Sequence, residues 1–139
     1  MLTSTVAAYR DVYNEREFAF DCEVDVATIT GSPELIIQML DKLVDNAVDF
    51  SHAGDTISIG LRPSDDDFEV SVMNPGAPLP EKMRTQMFDS MVSMRAGKDS
   101  KHLGLGLYVA RLIAEGHGGK ISAHNVTDGV CFSVSIPRI

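Results

Sequence analysis

Residues 33–50 carry two separate periodic patterns, and they constrain the fold more than any other stretch of the chain. The apolar residues follow the 3.6-residue repeat of an amphipathic helix: Ile36, Met39, Leu40, Leu43, Ala47 and Phe50. A second face of this helix carries its polar residues, Gln38, Lys42, Asn46 and Asp49. Ser32 suits the N-cap, and Pro33 suits the first helical position because its missing N–H would be unpaired there anyway. We therefore predict a helix that packs one face on a core and presents hydrogen-bonding groups on the other.

Further elements follow from the alternation and spacing of apolar residues. Helices are predicted over residues 3–15, 81–88 and 104–115 in addition to 33–50. Strands are predicted over residues 17–24, 56–61, 68–73, 120–124 and 130–136, with a short extended piece at 27–30. Residues 89–103 read as a long mobile loop. The sequence therefore predicts an α+β fold in which helices cover one face of a mixed, mostly antiparallel sheet, while the other face is partly open.

Composition and charge limit the classes of function. The chain of 139 residues is long enough for one domain with an ordinary core. A net charge of -8 argues against a nucleic-acid or acidic-membrane partner, since such partners need a basic face. No segment approaches the ~20 apolar residues of a membrane span, and no signal-peptide pattern is present. We therefore expect a cytoplasmic domain without direct membrane contact, in which Cys22 and Cys131 are buried free thiols.

Two short segments offer ligand-binding groups, and each has an ordinary structural alternative. Asn46 supplies a neutral amide oxygen, which suits Mg²⁺, although a lone helical asparagine is more often simply exposed. Residues 74–80 contain three prolines, so the preceding strand should end at Met73 and a rigid loop should begin. In that loop Asn74 can pair with a purine edge and Gly76 permits close approach of a ligand. The alternative is a plain proline-rich turn.

A third segment, residues 101–107, is predicted to place Gly104 and Gly106 at the start of a helix. Free N–H groups at a helix start bind phosphate well. Residues 91–120 hold five basic and two acidic side chains, a local balance of +3 that suits a small anionic ligand. The alternatives are a scatter of solvated charges and glycines that only ease helix packing. The sequence contains no serine-nucleophile elbow, Walker-type phosphate loop, paired-cysteine metal site or H-E-x-x-H motif.

Taken in order, these segments resemble the ATP-binding catalytic domain of sensor histidine kinases, in the Bergerat-fold (GHKL) superfamily that includes gyrase and mismatch-repair ATPases. The matching segments are the asparagine box at residues 40–50, the first glycine box at 74–80, the phenylalanine box at Phe88 and Asp89, and the second glycine box at 104–107. Residues 115–119 follow the second glycine box as they do in that family. The resemblance covers residues 5–139, nearly the whole chain.

The resemblance implies a two-layer α/β sandwich of about five strands and about three helices, with residues 89–103 as a mobile ATP lid. The implied cofactors are ATP and Mg²⁺, with Asn46 as the magnesium ligand. The implied ATP-binding residues are Asn46, Asp49, Phe50, Asn74, Gly76, Leu79, Phe88, Arg95, Lys101, His102, Leu103, Gly104, Leu105, Gly106 and Leu107. Lys42 and Arg95 are candidate phosphate contacts, and no residue is assigned a certain catalytic role.

By the same resemblance, the domain donates the γ-phosphoryl of ATP to a histidine on a separate dimerisation helix, for relay to a response-regulator aspartate. Residues 1–139 are then a single catalytic domain that lacks the upstream dimerisation, phosphoacceptor and sensor regions. It is not expected to autophosphorylate alone. The expected partners are those upstream helices and a response regulator. We expect the full-length protein to be anchored in the inner membrane by segments outside this chain.

The sequence departs from the family pattern at several positions. Asn74 stands where the first glycine box usually begins with aspartate, and Pro78 stands where it carries a second glycine. His102 occupies a position that is often glycine. Lys42 lies where the ATPase branches place a glutamate base, which favours phosphoryl transfer to a protein over rapid ATP hydrolysis. Two alternatives remain: an anti-sigma-factor-type serine kinase of this fold, and a degenerate nucleotide-binding or interaction module.

Overall fold

The computed structural model describes residues 2–23, 31–81 and 101–137. The helices are α1 (Leu2–Val12), α2 (Pro33–Phe50) and α3 (Lys101–Gly116). The strands are β1 (Glu17–Cys22), β2 (Thr56–Pro63), β3 (Asp67–Pro75), β4 (Lys120–Val126) and β5 (Gly129–Pro137). Each of these elements was predicted from the sequence. The extended piece predicted at residues 27–30 lies outside the described residues. Of the helix predicted over residues 81–88, only Glu81 is described.

The five described strands form one sheet in the order β1-β2-β3-β5-β4. Strand β1 runs parallel to β2, and every other pair is antiparallel. The prediction of a mixed, mostly antiparallel sheet is therefore confirmed. The register places Val72 opposite both Ile59 and Phe132, so their side chains lie on one face of the sheet.

That face and the three described helices share one hydrophobic core. Helix α2 contributes the largest share, with Ile36, Met39, Leu40, Leu43, Val44 and Ala47 buried. Val6 and Tyr9 of α1 and Leu107, Ala110 and Ala114 of α3 complete the helical layer. The opposite face of the sheet carries small and polar side chains, among them Ser58, Gly60 and Ser71, which remain partly exposed. The two-layer architecture expected from the sequence is confirmed.

Several element boundaries differ from the predictions, two of them clearly in this part of the fold. Helix α1 ends at Val12, and Val12 is 70% exposed because the helical stripe of α1 turns away from the core there. Strand β3 continues through Asn74 and Pro75, which pair with Val130 and Gly129, although three nearby prolines had suggested an end at Met73. A proline can occupy the last position of a strand, because no further pairing of that strand needs the N–H that proline lacks.

The cysteines were predicted to be buried, and this is wrong for Cys22. Cys22 is exposed because it is the last residue of β1, which lies at the edge of the sheet. Cys131 is half-buried on the open face of β5, where its Sγ lies 3.6 Å from Ser133 Oγ. Both are free thiols, as expected.

Hydrogen bonds anchor both ends of α2. At its start, Ser32 Oγ accepts from the N–H of Leu35 at 3.3 Å. The N–H of Ser32 donates to His117 Nε2 at 3.1 Å, while His117 Nδ1 donates to Ile113 O at 2.8 Å. At its end, the Arg16 guanidinium donates to Val48 O at 3.1 Å and Ser51 O at 3.2 Å, which places a cation at the helix C-terminus. The helix is therefore fixed in position as well as packed.

We expect His117→Ala to lower the free energy of unfolding by about 1–3 kcal/mol, because it leaves the half-buried N–H of Ser32 without its acceptor. Urea titration followed by circular dichroism measures this change. His52→Ala is the control, since the His52 side chain is 91% exposed and forms only a 3.8 Å ion pair with Asp55. Equal stability of the two variants would contradict the anchoring role of His117.

Candidate functional site

A cavity of about 330 Å³ lies between the end of α2, the loop after β3, and β5. The residues that line it are Phe50, His52, Asn74, Gly76, Ala77, Pro78, Leu79, Val130 and Phe132. Phe50 is 38% exposed even though it continues the apolar stripe of α2, because it faces this cavity instead of the core. The cavity therefore combines apolar walls with one carboxamide, a composition common to sites that hold a planar heterocycle.

Asn74 supplies the polar group at this cavity. The side chain is 2% exposed, because Asn74 follows Val72 on the core-facing side of β3. Its Nδ2 donates to Pro75 O at 2.9 Å, whereas its Oδ1 is buried with no partner among the described residues. A buried acceptor that lacks a donor is costly. Asn74 Oδ1 is therefore placed to accept a hydrogen bond from a ligand in the cavity.

Asn46 presents a second unpaired carboxamide. It is 2% exposed, and within the described part of the chain neither its Oδ1 nor its Nδ2 has a hydrogen-bond partner. We expected an accessible polar face on α2, but Asn46 is buried on this helix, which packs against both the sheet and α3. An unsatisfied buried amide costs about 1–3 kcal/mol. A ligand or a hydrated metal ion that contacts Asn46 would remove this cost.

Helix α3 contacts α2 at Gly106, which lies beside Lys42. A Cβ atom at position 106 would lie 3.7 Å from Lys42 Cδ and 3.8 Å from Lys42 Cβ. The Lys42 stem therefore lies alongside the second turn of α3. Lys42, Asn46 and Phe50 recur every four residues on α2 and span about 12 Å at 1.5 Å per residue. This ridge runs along α2 from Phe50 at the cavity to Lys42 beside Gly106 of α3.

The start of α3 differs from the prediction. The helix begins at Lys101, so residues 101–103, which were assigned to the mobile loop, are helical. No proline or glycine in residues 101–103 interrupts helical geometry. Gly104 therefore lies in the first turn of the described helix, and Gly106 lies in the second.

The remaining predicted site residues fall into three groups. Phe88, Arg95 and most of the expected lid, residues 89–100, lie outside the described residues. For Lys101, His102, Leu103 and Leu105 the structure defines only the helical backbone. Leu107 is fully buried in the hydrophobic core, and its role in ATP binding stays a prediction. Asp49 is exposed on α2.

Several cavity residues were not among the predicted binding residues. Val130 and Phe132 reach the cavity because β5 pairs with β3, which places Val130 directly opposite Asn74. His52 and Ala77 lie in the loops that close the cavity. Only the alternation of apolar residues in β5 hinted at Val130 and Phe132, and it did not reveal which strand would neighbour β3.

Two tyrosines of the first helical region contact the acidic residues beside Asn46. Tyr9 Oη donates to Asp41 Oδ1 at 2.5 Å, and Tyr13 Oη donates to Asp45 Oδ1. Burial, reinforced by these carboxylates, raises the pKa of Tyr9 and of Tyr13 above the ordinary value for tyrosine. Both phenols therefore stay protonated as donors across the working pH range, and they fix the side of α2 next to Lys42 and Asn46.

Residues 31–139 match the sequence model of the family described as histidine kinase-, DNA gyrase B- and HSP90-like ATPases. The chain belongs to this family. The matched range includes α2, the cavity loop and α3, the three elements that form the site. The family assignment therefore agrees with the ATP-binding fold that the sequence motifs resemble.

Sequence relatives of this ATPase domain are sensor kinases. The chain is 28% identical over 133 residues to the adaptive-response sensory kinase SasA of Rippkaea orientalis, covering 93% of this chain and 34% of that protein. It is 32% identical over 117 residues to the sensor protein KdpD of Clostridium acetobutylicum, covering 82% of this chain and 13% of that protein. The chain thus spans about a third or less of the length of these relatives.

Solved structures agree with the sequence relatives. The catalytic domain of histidine kinase ThkA, in a nucleotide-free form, is 27% identical and superimposes with a TM-score of 0.85 over 98% of this chain and 89% of that domain. The domain described here is thus an ATPase domain of the sensor-histidine-kinase type. Within the described residues, no helix combines the length and the apolar character needed to cross a lipid bilayer.

We expect Asn46→Leu to stabilise the nucleotide-free domain by about 1–2 kcal/mol while it weakens Mg-ATP binding, since the substitution removes an unpaired buried amide. Urea unfolding and calorimetric titration measure the two effects separately. Gln38→Leu is the control, because Gln38 is exposed on the same helix, and its effect on stability should stay within about 0.5 kcal/mol. A destabilised Asn46→Leu variant with unchanged nucleotide affinity would contradict a binding role for Asn46.

Proposed function

We propose that this domain binds Mg-ATP and transfers its γ-phosphoryl group to a histidine on a dimerisation helix located elsewhere in the same protein. A response-regulator aspartate then receives the phosphoryl group from that histidine. The observation that carries this proposal is the ridge of Lys42, Asn46 and Phe50, which runs from the cavity to the first turns of α3. One extended ligand along this ridge can meet all three side chains.

The cavity suits the adenine end of the nucleotide. Phe50, Val130 and Phe132 offer apolar contacts to a flat base. The unpaired Oδ1 of Asn74 can accept a hydrogen bond from the adenine amino group. Gly76 has a φ of 155°, so a residue with a side chain would be strained at this position. Its side chain would also lie beside Phe50 O and make the cavity smaller.

The buried amide of Asn46 fits a magnesium site, because an amide oxygen completes the oxygen shell of a Mg²⁺ ion already carried by phosphates and water. No described cluster of three or more His, Cys, Asp or Glu side chains is arranged to hold a metal ion. Asn46 would therefore act together with the nucleotide's own phosphates. When bound, the magnesium ion neutralises phosphate charge and lowers the cost of transferring the γ-phosphoryl group.

The chain's own residues position the phosphates. The backbone N–H groups of residues 101–104 lie at the N-terminal end of the described helix α3, where they would donate to phosphate oxygens. The Lys42 stem lies beside Gly106 in the second turn of α3, and its ammonium group would donate to the phosphates. In the transfer itself, a ring nitrogen of the acceptor histidine bonds to the γ-phosphorus, the bond to the β–γ bridging oxygen breaks, and ADP leaves.

The acceptor must lie outside this chain. The four histidines of the sequence are followed by Ala53, Leu103, Gly118 and Asn125, and none has the adjacent acid expected of a phosphoacceptor. His117 uses both ring nitrogens in the core, where they contact Ile113 O and the N–H of Ser32. Histidine kinase ThkA, which is 26% identical over 99% of this chain, has been solved in complex with the response regulator TrrA. That complex supports a response regulator as the downstream partner here.

The decisive experiment titrates the purified chain with Mg-ATP by calorimetry and then incubates it with radiolabelled ATP. We expect saturable binding and no stable label on the chain itself. Addition of the dimerisation and phosphoacceptor region of the same protein should produce label that is stable in alkali and lost in acid. The absence of heat up to millimolar nucleotide would instead favour a degenerate interaction module.

We expect Lys42→Met to weaken ATP binding about 5- to 30-fold and to leave adenosine binding nearly unchanged, because an ammonium–phosphate contact contributes roughly 1–2 kcal/mol. Methionine preserves most of the apolar stem that packs against Gly106, so the fold should be retained. Calorimetric titrations with adenosine, ADP and ATP measure the effect. An equal loss for adenosine and ATP would show that Lys42 acts on the fold and not on phosphate.

A further inference from the structure

The loop that forms one wall of the cavity has few backbone donors of its own. Three of the six residues 75–80 are prolines. Only the other three, Gly76, Ala77 and Leu79, carry a backbone N–H. A segment with so few N–H groups cannot hold its shape by pairing with a strand. Contacts from another part of the chain must therefore fix its position.

Asn125 of β4 supplies such contacts. Its Oδ1 accepts from the N–H of Leu79 at 2.8 Å, and its Nδ2 donates to Leu79 O at 3.1 Å. The side chain thus pairs with both backbone groups of Leu79, much as a neighbouring strand would. The two residues are 46 positions apart in sequence. Only asparagine or glutamine offers a donor and an acceptor in this arrangement.

The turn between β4 and β5 holds the other end of the loop. The N–H of Gly76 donates to Asp128 O at 3.1 Å, and Asp128 adopts a φ of 60° in the turn. Gly129 lies so close to the loop that a Cβ atom there would be 2.4 Å from Asn74 O. The hairpin end formed by residues 125–129 therefore contacts the loop at both Gly76 and Leu79.

We propose that Asn125 is a positioning residue, which sets the wall of the base cavity by holding the backbone of Leu79. Leu79 is partly buried and lines the cavity, whereas Asn125 does not line it. The inference rests on the proposed nucleotide-binding function, and it identifies the hairpin end as the part of the fold that keeps the base cavity preformed. Preformed walls reduce the ordering cost of binding.

The proposal predicts that Asn125 affects binding of the base and not binding of the phosphates. Loss of Asn125 frees the Leu79 end of the loop and leaves the ridge of Lys42 and Asn46 intact. Binding of adenosine and of ATP should therefore weaken by the same factor. Lys42→Met should weaken the binding of ATP and leave that of adenosine nearly unchanged. The ratio of the two affinities therefore distinguishes the two variants.

The experiment compares Asn125→Ala, Asn125→Asp and the control Ser122→Ala in calorimetric titrations with adenosine and Mg-ATP. We expect Asn125→Ala to weaken both ligands about three- to tenfold. Asn125→Asp keeps the acceptor for the N–H of Leu79 but places a carboxylate oxygen against Leu79 O, so its affinity should be no better than that of Asn125→Ala. Ser122 is exposed on the same strand, and Ser122→Ala should bind as the parent chain does.

A second readout does not depend on ligand. Amide hydrogen exchange measured by NMR should show a protected Leu79 N–H in the parent chain and an exchange at least about tenfold faster in Asn125→Ala. Thermal unfolding of the same samples shows whether faster exchange reflects a loss of stability of the whole domain instead of a local change at Leu79. Unchanged exchange at Leu79, or unchanged adenosine affinity in a variant with faster exchange, would overturn the proposal.

The outcomes separate this proposal from the proposed function. If the parent chain binds no nucleotide, the proposed function fails, while the exchange of Leu79 still reports whether Asn125 holds the loop. If the parent chain binds ATP and the Asn125 variants bind it equally well, the proposed function stands and the positioning role is refuted. A loss of ATP affinity without loss of adenosine affinity would place the effect at the phosphates and would also refute it.

Discussion

The packing of helix α2 against both the sheet and helix α3 is the constraint on which the rest of the structure depends. Its buried stripe, which includes Met39, Leu43 and Ala47 at no exposure, fixes which face points at the sheet. Once that face is fixed, the 3.6-residue repeat determines where Lys42 and Asn46 point. The site is therefore a consequence of core packing, and a rotation of α2 would disrupt core and site together.

The hydrogen bonds at the two ends of α2 also fix the position of the helix along its own axis. Ser32 and His117 fix the start of the helix, and Arg16 fixes its last carbonyl groups. Sliding of the helix by one turn would break both sets of contacts. A ligand that spans about 12 Å along Lys42, Asn46 and Phe50 requires just such a fixed spacing, because its two ends are held by different elements.

Sequence periodicity could predict the described helices and strands, because amphipathic stripes and alternation report directly on which face is buried. The order and spacing of the family motifs singled out Asn46, Asn74 and Gly76, of which Asn74 and Gly76 line the cavity. Periodicity could not predict the contribution of β5 to the cavity, because pairing of β3 with β5 is a long-range choice that leaves no local signature. Nor could it reveal the start of α3 at Lys101, since nothing in residues 101–103 marks a boundary, or Asn125, whose role depends on a partner 46 residues away.

The departures from the family pattern in the cavity loop are linked by one structural reason. The resemblance implies an aspartate at position 74, yet Asn74 uses its Nδ2 to donate to Pro75 O at 2.9 Å. An aspartate in the same pose would place a carboxylate oxygen against that carbonyl, and the repulsion would push the loop away. Asparagine avoids the repulsion and still leaves Oδ1 free to accept from a base. Since the prolines of this loop remove its backbone donors, its shape depends on side-chain amides, Asn74 at the strand end and Asn125 from the neighbouring hairpin. Neutral side-chain amides thus hold the loop, without the charge that an aspartate at position 74 would carry.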